Sequence, residues 1–362
     1  MKMMKTTLFA ALAFSLLVPV ALRAQDEEEP VKFESVSRYD FVPGDQVLYY
    51  EDFSQDNIGD FPALWASNGS GEVKTVSIAQ GKWFHLNGES AVYCYTKTID
   101  FPANFIMEFD LIPDAEYLNG IVLNLYQESE YRELNDDLYP GEKGLQVMIG
   151  PESWETKGYT SEYDDWLEGS GTKAPVVKET VNHVIIWVQN RRVRIYHQGQ
   201  KVIDMSTNIQ AGTRFNRLLF SGWDRASYPY ISNIQITTAS PDTRSKLITD
   251  GKLVTYGIYF DSGKDVVKPE SYGTIQAIAS VLKENPGVRI KIVGHTDSDG
   301  DDALNMDLSK RRAAAVKAYL VKEFQVDAAG IETDGKGESQ PVMENTSPEN
   351  KAKNRRVEFL KL

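Results

Sequence analysis

The hydrophobic pattern of this 362-residue chain changes its period past the middle. Up to about Thr238, short runs alternate apolar and polar residues, as in Phe105 to Ile112, and turn residues separate them. Alternation with a period of two indicates β-strands with one buried face. After the turn-rich segment Ala239 to Asp242, runs typical of strands and of amphipathic helices follow one another. The sequence therefore predicts an all-β domain and then an α/β domain.

The many short strands of residues 44–238 favour a two-sheet β-sandwich of the jelly-roll kind. The alternative is an outer-membrane β-barrel with a periplasmic C-terminal tail. A barrel needs strands of about ten residues with an apolar outer band, and several runs here are shorter. We therefore favour the sandwich, joined by a linker over residues 239–252 to a C-terminal domain over residues 253–362.

The C-terminal domain is predicted to be an α/β sandwich of βαβαβ type, with its helices on one face of a small sheet. Pro269 suits the first turn of one helix, and Asn285-Pro286 ends it. We expect the second helix to bury Leu308, Ala315, Tyr319 and Leu320. The predicted elements are strands over residues 253–260, 288–293 and 356–362 and helices over residues 268–285 and 304–324.

The first residues have the order of a secretory signal peptide. A positively charged start precedes the apolar segment Leu8 to Val20, and Ala21 to Ala24 offers a cleavage site. The apolar segment is too short for a spanning helix. We predict a signal peptide over residues 1–24 and a charged, flexible leader over residues 25–43. The mature protein is then expected in the periplasm or peripherally at the outer membrane.

Charge and cysteine content exclude several classes of function. The formal net charge of −13 argues against nucleic acid as a partner, because phosphates are repelled. The single cysteine, Cys94, lies in an alternating run and is predicted to be a small strand residue. Since no cysteine stands directly after the apolar core of the signal, where a lipid is attached, no lipid anchor is expected. No metal-ligand spacing occurs among the histidines, and we predict no cofactor.

Asp297 and Arg312 are placed where they can act together. Asp297 ends the segment Gly294-His295-Thr296-Asp297, a turn after a predicted strand, and Arg312 lies on the next helix. An aspartate binds an ammonium, and a guanidinium binds a carboxylate through two parallel hydrogen bonds. The pair therefore predicts a site for a zwitterion such as an amino acid. The alternative is an Asp297–Arg312 ion pair that only fixes the turn to the helix.

These residues belong to a longer set of motifs. The set comprises Tyr259-Phe260-Asp261, Lys268 to Ser271, Gly294 to Asp297, Asn305, Leu308 to Ala313, Gly335 to Glu338 before Pro341, and Asn354 to Glu358. In order and spacing it resembles the OmpA-like peptidoglycan-binding domain, across nearly all of residues 250–362. The resemblance implies a non-catalytic module that holds the peptide stem of peptidoglycan at diaminopimelate or a related residue.

The resemblance also implies the site residues. They are Asp297 for the ligand ammonium, Arg312 for a carboxylate, Thr296, Asn305 and the backbone around Leu308 along the pocket, and Asp261 and Arg356 near its rim. Each charge-assisted hydrogen bond contributes about 1.5–3 kcal/mol. Less the cost of association, three or four of them give a single-site affinity on the order of micromolar to millimolar.

The all-β part has a resemblance of its own. Trp187 to Asn190, Val193 to Tyr196 and Gly199 to Ile203 follow one another as in the hairpin of laminin G-like and concanavalin-like jelly rolls. The opening Glu51 to Ser54 and the closing Ile231 to Ile236 are similar to that superfamily too. The resemblance implies a fold, and a glycan or an envelope protein is the partner we expect there.

A wall-anchored glycoside hydrolase is the alternative function of the all-β part. Glu108-Phe109-Asp110 is similar to the start of the laminarinase-like pattern, but Ile112 and Pro113 stand where its second glutamate belongs. Retaining hydrolysis needs two carboxyl groups about 5–5.5 Å apart. We therefore interpret Glu108 and Asp110 as polar positions on one strand face.

Two further features leave alternatives open. Asp297 to Asp302 invites a calcium interpretation, but an EF-hand needs glycine at its sixth position and glutamate at its twelfth. Asp302 and Leu308 stand there, so only a looser ion site stays open. The aromatics of residues 126–166 either bind a sugar or a partner or pack on their own domain. They include Tyr131, Tyr139, Trp154, Tyr159, Tyr163 and Trp166.

Overall fold

The computed structural model describes residues 42–162, 165–222, 227–239, 243 and 245–362. All of them belong to one unit, residues 37–362. The predicted signal peptide and nearly all of the predicted leader lie outside the described residues, as do Tyr163 and part of the predicted linker. Within the described ranges, no helix is both long enough and apolar enough to cross a bilayer.

Residues 43–239 form two antiparallel sheets, and we call this part the two-sheet region. Its described strands are β1 (Pro43–Glu51), β2 (Trp65–Ser67), β3 (Glu72–Val76), β4 (Ala79–His85), β5 (Val92–Tyr95), β6 (Asn104–Ile112), β7 (Ile121–Gln127), β8 (Lys143–Ile149), β9 (Trp154–Thr160), β10 (Leu167–Gly171), β11 (Asn182–Gln189), β12 (Arg192–His197), β13 (Gln200–Met205), β14 (Arg217–Gly222) and β15 (Tyr230–Ala239). The first sheet has the order β13-β12-β11-β6-β15-β4-β3, with β1 also paired to β15. The second has the order β10-β9-β8-β7-β14-β5-β2.

Strands of both sheets contribute to one hydrophobic core. The alternation predicted for β6 is confirmed, since the core contains its residues Phe105, Met107, Phe109 and Leu111, all fully buried. Leu123 of β7 and Val147 of β8 join them from the second sheet. Each such side chain stabilises the fold by about 1.5–3 kcal/mol when it leaves water. Cys94 is a fully buried residue of β5, as predicted.

Residues 252–361 form a third sheet, which is mixed, together with helices, and we call this part the α/β region. Its elements are β16 (Lys252–Thr255), α1 (Tyr272–Glu284), β17 (Ile290–His295), α2 (Asp302–Phe324), β18 (Ile331–Gly337), α3 (Pro348–Asn354) and β19 (Val357–Lys361). The sheet order is β16-β19-β17-β18. β17 and β18 are parallel, and the other two pairs are antiparallel. A short 3-10 turn, Pro269–Ser271, leads into α1, as the position of the proline predicts.

Helix α2 lies very close to the two parallel strands. A Cβ on Gly294 of β17 would come within 2.3 Å of the Ser309 carbonyl oxygen, and one on Gly335 of β18 within 2.4 Å of the Lys310 nitrogen. Only glycine allows this approach. The face of α2 toward the sheet is therefore lined with small residues, including Ser309 and Ala313, which are fully buried.

This approach explains why the predicted buried face of α2 was wrong by one position. Leu308, Ala315 and Tyr319 are only half-buried, whereas Leu320 is fully buried as predicted. The residues of α2 that face the core are Asn305, Ser309, Ala313, Val316, Leu320 and Phe324. A prediction based on large apolar residues is wrong here. The close approach at the glycines of the sheet leaves room only for small residues on the facing side of the helix.

Other boundaries also differ from prediction. The strand predicted over residues 253–260 ends at Thr255, and Phe260 makes only an isolated bridge to Val267. The sequence pattern did not predict strand β18 or helix α3. Strand β18 contains two glycines and two acidic residues, a composition that disfavours strands, and it forms because its backbone pairs with β17.

The two regions meet at a seam on the outer face of the first sheet. Ile106, Ile185, Trp187 and Tyr196 form a small buried cluster there, and Tyr259 of the α/β region packs against it. The seam therefore buries apolar surface from both regions, which favours their association.

A charged cluster lies in the same seam. The His183 ring contacts Asp110 Oδ1 through Nδ1 (2.7 Å) and Glu108 Oε2 through Nε2 (3.2 Å). The Tyr259 hydroxyl donates to Glu108 Oε1 at 2.8 Å, and Glu108 is only 2% exposed. Glu108 and Asp110 do share a strand face, but both carboxylates are engaged in this cluster. They do not form the open pair that a hydrolase needs.

The cluster holds His183 in its charged form. Burial by itself lowers the pKa of His183, but the hydrogen bonds and charges of Asp110 and Glu108 raise it to about 10. Burial raises the pKa of Asp110, and the hydrogen bond and charge of His183 outweigh that effect, so the pKa of Asp110 is below its usual value.

This shift predicts a pH-dependent contribution to stability. Because the pKa of His183 is raised, its contribution is fully present below the unfolded-state value of about 6.5. The contribution is then lost as the pH rises toward about 10. At pH 6, His183→Gln should lower the free energy of unfolding by on the order of 3 kcal/mol. Urea unfolding of both proteins at pH 6, 8 and 10 should show the difference shrinking.

His85→Gln is the matched control. Burial and Lys74 lower the pKa of His85 to about 4, so folded His85 stays neutral over this range. Its difference from the wild type should not change between pH 8 and 10. A His183→Gln difference that is constant with pH would contradict the assignment of a charged His183.

Candidate ligand site

Asp297 lies in the turn between β17 and α2, with its side chain only 10% exposed. Its Oδ1 accepts a hydrogen bond from the Asp299 amide at 3.1 Å, and its Oδ2 lies 2.5 Å from Nη1 of Arg355. The two contacts fix the plane of the carboxylate. A carboxylate has about four lone-pair positions, so it can still accept hydrogen bonds from a ligand.

Arg312 is held on the other side of the site by backbone oxygens. Its Nε donates to the Lys264 carbonyl at 2.9 Å and its Nη2 to the Asp261 carbonyl at 3.2 Å. Its guanidinium carbon lies 4.9 Å from the centre of the Phe260 ring, a distance typical of a cation–π contact. Burial lowers the pKa of Arg312 to about 10 and the charge of Asp297 acts to raise it, so Arg312 is charged at neutral pH.

Asp297 and Arg312 therefore act on each other through their charges while their contacts are with other groups. Arg355, and not Arg312, is the cation that contacts the Asp297 carboxylate. The simple ion pair that we considered as an alternative is thus not the arrangement in the described residues. Asp297 lies in the turn and Arg312 on the helix that follows it, and the zwitterion site stays a prediction.

Asn305 and Thr296 shape the turn. The Asn305 amide donates to the carbonyl oxygens of Asp297 (3.3 Å) and Asp299 (3.0 Å) and to Glu338 Oε2 (2.7 Å). The Thr296 amide donates to the Gly337 carbonyl at 3.0 Å. The Thr296 hydroxyl is buried and has no hydrogen-bond partner among the described residues.

The remaining predicted residues differ in their surroundings. Leu308 is half-buried on α2. The carboxylate of Asp261 is about half exposed and pairs with Lys264 (3.1 Å) and Lys268 (3.6 Å). The hydrogen bond from Lys264 lowers the pKa of Asp261. Asp261 thus approaches the site through its carbonyl, which holds Arg312.

The expectation that Arg356 lies near the rim was wrong. Arg356 is 5% exposed, and its guanidinium donates to Glu358, to the Asn354 carbonyl and to the Gln340 carbonyl. Its neighbour Arg355 contacts Asp297 instead. The Arg-Arg pair was visible in the sequence, but nothing there said which arginine faces the turn.

The acidic residues after Asp297 have other partners. Asp301 caps α2 by accepting from the amides of Ala303 (2.9 Å) and Leu304 (3.1 Å). Asp299 pairs with Lys351 at 2.6 Å. Over the described ranges, no three His, Cys, Asp or Glu side chains are grouped so that they could hold a metal ion.

The aromatics of residues 126–166 mostly pack within the two-sheet region. Trp154 and Tyr159 are fully buried, and both donate to backbone carbonyls. The rings of Tyr139 and Trp166 lie 4.8 Å apart, with Lys157 over Trp166. Tyr131 is 63% exposed. Even so, its hydroxyl donates to the Thr96 carbonyl at 2.5 Å, and its ring centre lies 5.0 Å from the Arg217 guanidinium carbon. The described contacts therefore favour packing for all of these, while Tyr163 lies outside the described residues.

Comparison with known proteins finds a matching family model and several relatives. The OmpA family model matches residues 259–355. Outer membrane porin F of Pseudomonas aeruginosa is 39% identical over 127 residues, which cover 33% of this chain and 36% of that protein. The probable lipoprotein YiaD of Escherichia coli K12 is 43% identical over 102 residues, which cover 28% of this chain and 46% of that protein. The chain thus spans between a third and a half of the length of these curated relatives.

A solved structure, the peptidoglycan-associated lipoprotein of Burkholderia pseudomallei, is 30% identical with a TM-score of 0.27, over 29% of this chain and 88% of that one. The family match covers the turn with Asp297, the helix with Arg312 and Arg355 at its last position. Residues 259–355 of this chain are thus the part that is similar to the OmpA family.

Proposed function

We propose that residues 253–362 bind the peptide stem of peptidoglycan through a zwitterionic group of diaminopimelate or a related residue. The observation that carries the proposal is the arrangement of Asp297 and Arg312. Each is held by other groups, Asp297 by Arg355 and the Asp299 amide, and Arg312 by two carbonyl oxygens. Opposite charges that do not pair with each other are ready to pair with a ligand that carries both charges.

In this proposal Asp297 accepts from the ligand ammonium and Arg312 donates to a ligand carboxylate. Thr296 lines the pocket beside Asp297, and its hydroxyl has no hydrogen-bond partner in the part of the chain that the structure describes. Asn305 acts on the ligand through the shape of the turn, because its amide protons are taken up by Asp297, Asp299 and Glu338. The expected single-site affinity is weak, and repeated stems along the polymer favour rebinding.

The proposed cellular role is an anchor in the cell envelope. The names of the relatives, an outer membrane porin and a probable lipoprotein, support a place at the outer membrane or in the periplasm. On this proposal the signal peptide of residues 1–24 directs export without a lipid anchor. The α/β region then fixes the two-sheet region, a jelly-roll sandwich of residues 44–238, to the wall, where it presents a surface to a glycan or an envelope protein.

The affinity of the full chain for meso-diaminopimelate tests the assigned roles. Asp297→Asn and Arg312→Gln should each weaken binding about tenfold to a hundredfold, because each removes one charge-assisted contact. Binding is measured by NMR titration at millimolar ligand. The matched control is Asp307→Asn with Arg311→Gln, an exposed ion pair on the same helix at 2.8 Å. The control pair should bind as the wild type does, and equal binding by all variants would remove the assigned site.

Cosedimentation with purified sacculi tests the polymer as the ligand. The full chain should pellet with sacculi whose stems contain diaminopimelate, and millimolar free meso-diaminopimelate should reduce the pelleted fraction. Asp297→Ala and Arg312→Ala should stay largely in the supernatant, whereas Arg311→Ala should pellet. If the wild type and both site variants pellet equally, wall binding does not use this site.

A further inference from the structure

A residue of the two-sheet region contacts the candidate ligand site. The ring of Tyr50, on β1, faces the guanidinium of Arg355, with 4.8 Å between the ring centre and the guanidinium carbon. Arg355 in turn contacts Asp297 Oδ2 at 2.5 Å. Tyr50 lies outside the residues that match the OmpA family. A side chain from another part of the fold is therefore one contact away from the ammonium-binding carboxylate.

Tyr50 is itself fixed by the seam. Its hydroxyl donates to Asn233 Oδ1 at 3.2 Å, and the Asn233 amide donates to Asp110 Oδ2 at 2.7 Å. Asp110 belongs to the charged cluster around His183. Asn233 has a φ of 51°, a left-handed conformation that asparagine tolerates better than most residues. The position of the Tyr50 ring thus depends on a chain of polar contacts that leads to buried charges.

Without the ring, the Arg355 guanidinium would keep its contact with Asp297 but lose the aromatic face that restricts its plane. Its side chain is partly exposed, at 32%, and an arginine with fewer contacts has more rotamers of similar energy. The face of an aromatic ring attracts a guanidinium and restricts it to one plane. Restriction of Arg355 also fixes Asp297, because Arg355 and the Asp299 amide are the two donors that set the carboxylate plane.

We propose that Tyr50 is a positioning residue for the stem-binding site, which it serves by holding Arg355 against Asp297. The inference rests on the proposed function, since it assigns a role in that same site. In this arrangement Arg355 fixes the carboxylate in one orientation before the ligand arrives, and the remaining lone pairs of Asp297 accept the ligand ammonium. Because Arg355 and Asp297 are already ordered in the free protein, binding does not incur the entropy cost of ordering them. In this proposal the two-sheet region therefore contributes to ligand binding, and it is also the domain that the α/β region anchors.

Affinities of the full chain for meso-diaminopimelate test this role. Tyr50→Leu should weaken binding about threefold to tenfold, as expected for loss of one cation–π contact. Tyr50→Phe keeps the ring and loses the hydroxyl contact with Asn233, so it should weaken binding less than Tyr50→Leu does. Tyr50→Met, which fills more of the same space without a π face, serves in place of Tyr50→Leu if that variant does not fold.

A double-mutant cycle with Arg355→Ala separates positioning from general destabilisation. If Tyr50 acts through Arg355, Tyr50→Leu should have no further effect on affinity in the Arg355→Ala background. An equal loss in both backgrounds would overturn the proposal, as would wild-type or tighter binding by Tyr50→Leu. The proposed function fails differently, because then the wild type itself does not bind, or binds no better than Asp297→Asn.

Discussion

The close approach of α2 to β17 and β18 is the constraint on which the α/β region depends. Gly294 and Gly335 have no room for a Cβ beneath the helix, and the Gly337 amide donates to the Ser309 hydroxyl at 2.9 Å. These contacts therefore fix the distance between α2 and the sheet and the rotation of α2 about its own axis. Arg312 lies one turn beyond Ser309, and Asp297 lies three residues beyond Gly294, so the same contact brings both charges to one end of the sheet.

Each charged group of the candidate site has a hydrogen-bond partner within the protein. A nearly buried carboxylate without a donor would tend to take up a proton, and a buried guanidinium without acceptors would be costly. Arg355 and the Asp299 amide satisfy Asp297, and two carbonyl oxygens satisfy Arg312. A direct Asp297–Arg312 pair would have met the same need, but a ligand would then have had to break it.

The seam connects the two-sheet region to the candidate ligand site. The cluster of Glu108, His183 and Asp110 is charged and buried, and Tyr259 closes it from the α/β region. Ionic contacts of this kind contribute more to a unique geometry than to stability, because desolvation offsets much of their attraction. The geometry set here reaches Tyr50 and, through its ring, Arg355.

The sequence by itself determined the β-strand alternation of β6, the helical turn at Pro269 that leads into α1 and the presence of opposite charges at Asp297 and Arg312. Those features depend on local periodicity, on the fixed φ of proline and on residue types, all of which can be read along the chain. Tertiary structure alone decided the partners. It placed Arg355 and not Arg356 beside Asp297, made β18 a strand through its pairing with β17, and joined Glu108 and Asp110 to His183. These outcomes depend on contacts between residues distant in sequence, which local patterns do not encode.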